Sequence, residues 1–373
     1  MTLSKHASHV VIVGAGIVGL GHAVAALDAG YRVTVVEQDA AAVLASVRNF
    51  GHVSTSAQSG ELHDLALEAN SIWLSLVERA GVEARRSGTL VVARSAAEEA
   101  VLQELAADRA SEDARLVTGA EAGELLRIPD PDHLRSAALF PADLTADPRT
   151  AVARIAAWVD DHERGEVRFS TSVREVREGA VETNRGRIAA DHVVVAAGHL
   201  VGRLFPALAD EREVRECALQ MLRVRPPREM GIGPAVLTGT SMLRYGAFAG
   251  AAVEALRDEL RASRPELLEI DANVMFTQQA DGTLLVGDSH AAHRTAPPFL
   301  DERWSRLLLD EVAAVLGAPR LEVLERWQGV YATSTRQDIL RAYPAPGVSV
   351  VTVTTGVGMT VGLALGARTV AAL

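Results

Sequence analysis

The run Gly14-Ala15-Gly16-Ile17-Val18-Gly19 follows an apolar, β-rich stretch at residues 10–13 and opens a helical stretch at residues 17–29 that Gly30 stops. Residues 32–37 then read as a second strand. A strand, a glycine turn, a helix and a second strand in that order close as a βαβ unit of a parallel sheet. Gly14 permits the tight turn, Gly16 lets backbone approach a pyrophosphate, and Gly19 lets the helix lie close on the strand. The helix N-terminus favours the phosphate charge. Glu37 stands 18 residues beyond Gly19, where a carboxylate can accept hydrogen bonds from ribose hydroxyls and would repel a ribose phosphate. A dinucleotide is expected; these residues alone do not separate FAD from NAD.

The 373 residues suit two or three domains, or one two-lobed unit, at roughly 150 residues per domain. With 48% hydrophobic and 23% charged residues the chain can bury a sizeable core. Lys plus Arg number 37 against 48 for Asp plus Glu, a net charge of -11 that argues against a nucleic-acid partner. Cys217 is the only cysteine, so an internal disulfide and a multi-thiolate metal site are excluded, in keeping with a reducing cytoplasm. Residues 10–27 resemble a signal peptide only superficially, because Gly14, Gly16 and Gly19 interrupt them. The uncharged residues 342–367 contain Pro344 and Pro346 and read as a buried strand, Val348–Val353, then a glycine turn and a helix. No membrane association is expected.

Residues 62–80 read as an amphipathic helix, Thr89–Ala93 as a strand and Ala96–Ala107 as a helix. The proline-punctuated segment around Ile128, Pro129, Pro131 and Pro141 is expected to loop back before Pro148 opens a helix through Trp158. Short strands at 167–169, 173–176, 180–183 and 192–196 end at Ala196-Ala197-Gly198 and return the chain to the nucleotide lobe. Strands at 220–224, 273–278 and 283–286, with a helix at 251–262 between them, suggest an antiparallel sheet in a second lobe. The pairs Glu98-Glu99 and Arg85-Arg86 read as solvated faces. His290 and His293 look like a metal pair but fall in an expected turn without a third ligand, so no metal site is assigned.

Besides the fingerprint, Thr171-Ser172-Val173, residues 193–198 and residues 356–362 resemble flavin-lobe segments of the D-amino-acid-oxidase-like flavoproteins, the family that includes glycine oxidase and monomeric sarcosine oxidase. The resemblance covers nearly the whole chain. It implies an α/β fold, with a Rossmann-like FAD-binding domain at residues 1–86, 144–213 and 325–373. A second α+β substrate domain, built on an antiparallel sheet, would take residues 87–143 and 214–324. It also implies non-covalent FAD held by Gly14, Ala15, Gly16, Ile17, Val18, Gly19, Glu37, Gln38, Ser46, Arg48, Asn49, Val173, Ala197, Gly198, Gly356, Gly358, Met359 and Thr360. In this family the C-terminal glycine turn aims backbone amides at the flavin carbonyl and stabilises negative charge on the reduced ring.

Ser46-Val47-Arg48-Asn49-Phe50-Gly51 with Gln58, Leu243-Arg244-Tyr245 and Gly356-Val357-Gly358-Met359-Thr360 further resemble a bacterial subgroup encoded beside phosphonate-degradation genes. Its members are similar to oxidases of aminoethylphosphonate and its N-methyl derivatives. Such a substrate would lose hydride from the carbon next to nitrogen, and the imine would hydrolyse to phosphonoacetaldehyde and an amine. Arg244 and Tyr245 would clamp the anionic end, Tyr331 would bind substrate, and His52 would act as a base, each against the plainer reading of an ion pair, packing or a structural histidine. Oxygen or another acceptor would take the electrons.

The chain departs from better-known members. Aligned on Tyr331, Gly329 stands where sarcosine oxidase carries its flavin-tethering cysteine. Tyr331 replaces the carboxylate-binding arginine of a Trp-x-Gly-x-Arg motif. The oxygen-promoting lysine is replaced near Leu285, and a histidine by Val357. A glycine- or sarcosine-type oxidase, an NAD-linked dehydrogenase and a catalytically silent flavin scaffold are the alternatives. The sequence leaves oligomeric state open.

Overall fold

The computed structural model describes residues 8–107, 109 and 113–373. Its first layer is a six-stranded sheet in the order Ile339–Ala345, Val348–Val353, His192–Val195, His9–Val13, Arg32–Val36, Gly165–Arg168. All pairings are parallel except that of the edge strand Ile339–Ala345. These strands are nearly continuous runs of Val and Ile because both faces are covered, one by helices and the other in part by the small sheet Val173–Arg177, Ala180–Thr183 and Gly186–Ala189: Val10, Val11 and Ile12 are wholly inaccessible. The helices Ile17–Asp28 and Gly358–Val370 cross backbone to backbone. A Cβ on Gly21 would lie 2.6 Å from the Gly362 carbonyl oxygen, and one on Gly366 would lie 2.3 Å from the Gly21 carbonyl carbon. Small residues here let the two helices, each following a glycine turn at a strand end, open beside each other.

The second layer is a nine-stranded sheet whose spine is the antiparallel pair Arg215–Arg225 and Glu322–Thr333, in a register that sets Cys217 opposite Tyr331. Thr89–Ala93 runs in the same sheet, parallel to Ala235–Leu237 and antiparallel to Ser136–Phe140. A small sheet of His52–Val53, Leu144–Ala146 and Ala84–Arg86 ties the two layers together. Separate apolar cores lie around Leu20, Trp73 and Leu365 and around Leu90, Phe140 and Phe276.

Three expectations need correction. The segment expected to loop back contains the strand Ser136–Phe140, and ahead of it come the strand Arg115–Thr118 and the helix Gly119–Leu126. Pro129 and Pro131 precede the strand and Pro141 follows it, so they punctuate without breaking its ladder. Ala291–His293 is a short strand paired with residues 216–218, so His290 precedes and His293 ends an edge strand where a turn was expected. Glu98 is buried, not solvated, and burial pushes its carboxyl up. It accepts from the backbone N–H groups of Arg94 and Ser95, while Ser95 Oγ accepts from Glu98 N at 3.1 Å, a reciprocal cap on the helix Ala96–Ala107. Glu98→Ala should therefore lower stability by about 1–2 kcal/mol in urea unfolding. An unchanged midpoint would show that the cap contributes nothing.

Candidate active site

A cleft of about 270 Å³ opens along the carboxyl ends of the parallel strands, touching Val13, Val36, Ala196 and Val353. Gly14, at φ 106, donates its N–H to Val36 O at 2.8 Å, closing the turn. Glu37 is fixed by two amides: Oε2 accepts from Ala15 N at 2.9 Å and Oε1 from Asp39 N at 3.1 Å. Ser46 Oγ accepts from Ile17 N at 2.9 Å, so a hydroxyl stands at the N-terminus of the first helix. Gly198, at φ 56, would carry a Cβ into open space, and Gly358 would carry one no closer than 3.8 Å to any neighbour. Backbone and small side chains thus form an elongated cradle with a carboxylate at one part and a C-terminal glycine turn at another. That cradle suits a dinucleotide.

Of the residues expected to hold cofactor, Gly14, Gly16, Ile17, Val18, Glu37, Gln38, Ser46, Asn49, Val173, Ala197, Gly198, Gly356, Gly358 and Met359 line this cleft. Ala15 and Gly19 stand behind its wall. Ala15 presents only its amide to Glu37, and a Cβ on Gly19 would meet Gly14 O at 1.9 Å. Arg48 and Thr360 line a second cavity instead. Arg48 Nη1 donates to Gln328 O at 3.1 Å, and Thr360 Oγ1 accepts from Ser54 N at 3.2 Å.

The second cavity, about 90 Å³, shares Ala45, Asn49, Tyr331, Gly356 and Met359 with the cleft. It gathers His52, Arg244, Tyr245 and Tyr331, all singled out by sequence, with Gln58, Asn273, Asp288 and His290. Arg244 Nη2 donates to Tyr331 OH at 2.8 Å, while its Nη1 lies 3.6 Å from the exposed Asp271 carboxylate. Asn273 Nδ2 donates to Asp288 Oδ1 at 3.2 Å and to Tyr245 OH at 3.4 Å. Burial raises the Asp288 carboxyl to about 7, against the opposing pull of Arg244 and the Asn273 hydrogen bond. Burial, helped by Arg244, holds His290 well below its usual value, and its Nδ1 meets Asp271 O at 2.9 Å. Burial lowers His52 to about 4, with Asp143 opposing. Burial also raises both tyrosine phenols. At neutral pH the Arg244 guanidinium is therefore a fixed cation among uncharged imidazoles and phenols, with the Asp288 carboxyl beside it near its titration midpoint, an arrangement that can bind an anion.

Asn273 and Asp288 carry no mark in the sequence, and the sequence suggests His290 only as a metal ligand. What the three share is burial beside one arginine, which spacing does not encode. The available hint was Asp288-Ser289-His290 emerging from an apolar strand. His293 pairs with Glu216 at the sheet edge and lines neither cavity. Among the described residues no group of three or more His, Cys, Asp or Glu is placed to hold a metal ion. Leu285 is buried in the sheet between Thr277 and Arg223 and touches neither cavity, whereas Val357 and Gly329 line the smaller one. Among the described residues no helix is long and apolar enough to cross a membrane.

Ionisation of Asp288 would set a negative charge beside Arg244. A carboxyl raised to about 7 is neutral below that pH and anionic above it, so anion affinity should fall as pH rises. Titration with ethylphosphonate should show about tenfold weaker binding at pH 8 than at pH 6, beyond the ligand's own ionisation. Asp288→Asn should flatten the profile. A flat profile in the unsubstituted protein would remove Asp288 from the account.

Comparison with known proteins yields three findings. The family model described as FAD dependent oxidoreductase matches residues 9–373. No curated protein matches significantly. Among solved structures, the chain is similar to L-proline dehydrogenase from P. horikoshii at 19% identity and TM-score 0.78, over 97% of this chain and 91% of that one. Glycine oxidase from Bacillus cereus aligns at 17% identity and TM-score 0.76, over 97% and 94%. FAD-bound L-α-glycerophosphate oxidase from Mycoplasma pneumoniae aligns at 18% identity and TM-score 0.74, over 98% and 95%.

Proposed function

Because this chain belongs to the FAD-dependent oxidoreductase family, which settles the dinucleotide as FAD and sets NAD aside, we propose that it oxidises the C–N bond of a small amine bearing an anionic group. Aminoethylphosphonate or its N-methyl derivative is the preferred substrate. In this reading the six-stranded layer holds FAD without a covalent bond and the nine-stranded layer shapes the substrate cavity, a division that departs from the one expected from sequence at residues 325–333, there given to the FAD-binding domain but paired in the nine-stranded sheet. When bound, FAD supplies the two-electron acceptor.

The observation that carries the reading is Arg244. Its guanidinium lines a cavity that adjoins the cleft through Gly356 and Met359, hydrogen-bonded to the Tyr331 phenol, 3.6 Å from the exposed Asp271 carboxylate and beside the Asp288 carboxyl, which burial keeps largely neutral below pH 7. A phosphonate offers oxygens for the guanidinium fork, and the Tyr331 and Tyr245 hydroxyls can donate to the rest. Buried, neutral surroundings favour the uncharged amine, whose lone pair must be free for the adjacent carbon to give up hydride. Water then adds to the imine and releases the aldehyde and the amine. Named relatives of the fold fit both halves of this substrate: one is a proline dehydrogenase, and proline is a secondary amine, while another is a glycerophosphate oxidase.

Anaerobic mixing of the holoenzyme with aminoethylphosphonate, its N-methyl form, glycine, sarcosine and glycerophosphate tests the proposal by flavin bleaching. Selective reduction by the aminophosphonates is expected. Reduction by glycine or sarcosine alone would reject the phosphonate in favour of an amino-acid oxidase. Reduction by glycerophosphate alone would reject amine chemistry, and bleaching by none of them, with no turnover on an artificial acceptor, would leave a silent scaffold.

A further inference from the structure

Thr89 and Asp143 line neither cavity, yet they decide how a residue of the smaller one presents itself. His52 Nε2 lies 2.7 Å from Thr89 Oγ1, and that hydroxyl lies 2.6 Å from Asp143 Oδ2. Asp143 is wholly buried. Its Oδ1 accepts from the Thr55 and Ser56 amides at 3.1 and 3.0 Å, and its Oδ2 accepts from the Ser56 hydroxyl. A hydroxyl has one proton to give. Once Thr89 gives it to the carboxylate, only a lone pair remains for His52, so Nε2 must carry the ring proton and Nδ1 the free lone pair. His52 lines the cavity, and among the described residues Nδ1 has no hydrogen-bond partner.

We propose that His52, held in this tautomer by Thr89 and Asp143, accepts a hydrogen bond from the substrate's amine N–H through Nδ1 and so restricts the enzyme to primary and secondary amines. The proposal rests on the amine-oxidising reading above and adds to it the amine class and two positioning residues. The neutral amine's carbon loses hydrogen with its electron pair to oxidised flavin, the nitrogen lone pair forms the C=N bond, and the remaining N–H stays on Nδ1. Water then adds, leaving aldehyde and protonated amine. As positive charge grows on nitrogen its N–H becomes a stronger donor, so the bond to Nδ1 tightens on the way to the transition state. A neutral tertiary amine has no N–H to offer.

Charges around His52 favour this role. Burial keeps the ring neutral, and the Asp143 carboxylate 3.9 Å away strengthens it as an acceptor. Arg109 approaches this carboxylate's other side, donating to Ser56 O at 2.8 Å. Arg48, Arg244, Tyr245, Asp288, His290 and Tyr331 complete the titratable lining of the same cavity.

The test compares N-methylaminoethylphosphonate with its N,N-dimethyl analogue on the anaerobic holoenzyme, reading the limiting rate of flavin bleaching. The dimethyl compound should react at least about tenfold more slowly, the loss of one hydrogen bond that strengthens in the transition state. Thr89→Val should slow the N-methyl compound by a similar factor, leave the dimethyl compound unchanged and so collapse the ratio. Thr89→Ser should restore it. Ethylphosphonate, which lacks the amine, should perturb the flavin spectrum with one dissociation constant in all three proteins. ¹⁵N-histidine NMR, with His52 assigned by the signal missing in His52→Gln, should show protonated Nε2 in the unsubstituted protein, whether or not Thr89→Val folds. Equal rates for the two amines, or a protonated Nδ1, overturn the proposal alone. Bleaching by no amine in the panel rejects the amine reading and this inference with it.

Discussion

Arg244→Met should raise the dissociation constant for an anionic amine by about a hundredfold while leaving the flavin in place. A charge-assisted hydrogen bond contributes about 1.5–3 kcal/mol, and a guanidinium fork on a phosphonate supplies at least one that no neighbour replaces. His290 does not replace the charge, because burial, the larger cause of its lowered value, still acts on its imidazole once the arginine is gone. Arg244 is not among the residues lining the cleft, so the flavin spectrum and content should be unchanged. Arg244→Lys keeps the charge and loses the fork, and should lie between the two. Flavin-absorbance titration with ethylphosphonate checks the series without turnover. Equal constants for the unsubstituted and Arg244→Met proteins would mean that the anion sits elsewhere, and the phosphonate reading would lose its anchor.

Gly14→Ala should yield protein that is purified without flavin and melts well below the unsubstituted chain. Gly14 adopts φ 106, where a side chain is strained, and its Cβ would fall 2.6 Å from the Ala196 carbonyl oxygen. That carbonyl cannot retreat cheaply, since Ala196 N is bonded to Val13 O at 2.9 Å in the parallel sheet. Strain of this kind costs about 1–3 kcal/mol before the clash is counted. Gly30→Ala is the control: it shares a positive φ of 91 but meets nothing within 4 Å and lines neither cavity, so only the conformational term applies. The ratio of flavin to protein absorbance and the thermal midpoint read both variants. Full flavin content and an unchanged midpoint in the Gly14→Ala protein would detach the first glycine from cofactor binding.

Much of the nucleotide lobe was legible because its signals are local. Glycines beside a strand, an acidic residue one βαβ unit later and an uncharged C-terminal strand each report their own backbone conformation, and the elements at residues 9–36 and 348–370 stand where the pattern put them. The segment at residues 115–140 was illegible for the opposite reason. Its strands are short: Ser136–Phe140 takes its register from Thr89–Ala93, more than forty residues away in the chain, and Arg115–Thr118 takes its own from Ser136–Phe140. Glu98 misled because a charged pair on a helix usually faces water; here it caps a helix start under the packing of a neighbouring segment.

For the site, local sequence by itself determined that the cofactor is a dinucleotide and marked several residues that could meet a substrate, since backbone turns and residue chemistry are properties of short segments. Only the tertiary structure decided that Arg48 and Thr360 belong with Arg244 in the smaller cavity, that Asn273, Asp288 and His290 join them, and that Thr89 with Asp143 orients His52. Charge state and hydrogen-bond direction depend on what excludes water and what stands within about 3 Å. Those neighbours come from segments far apart in the chain, brought together by the pairing and packing of the two layers.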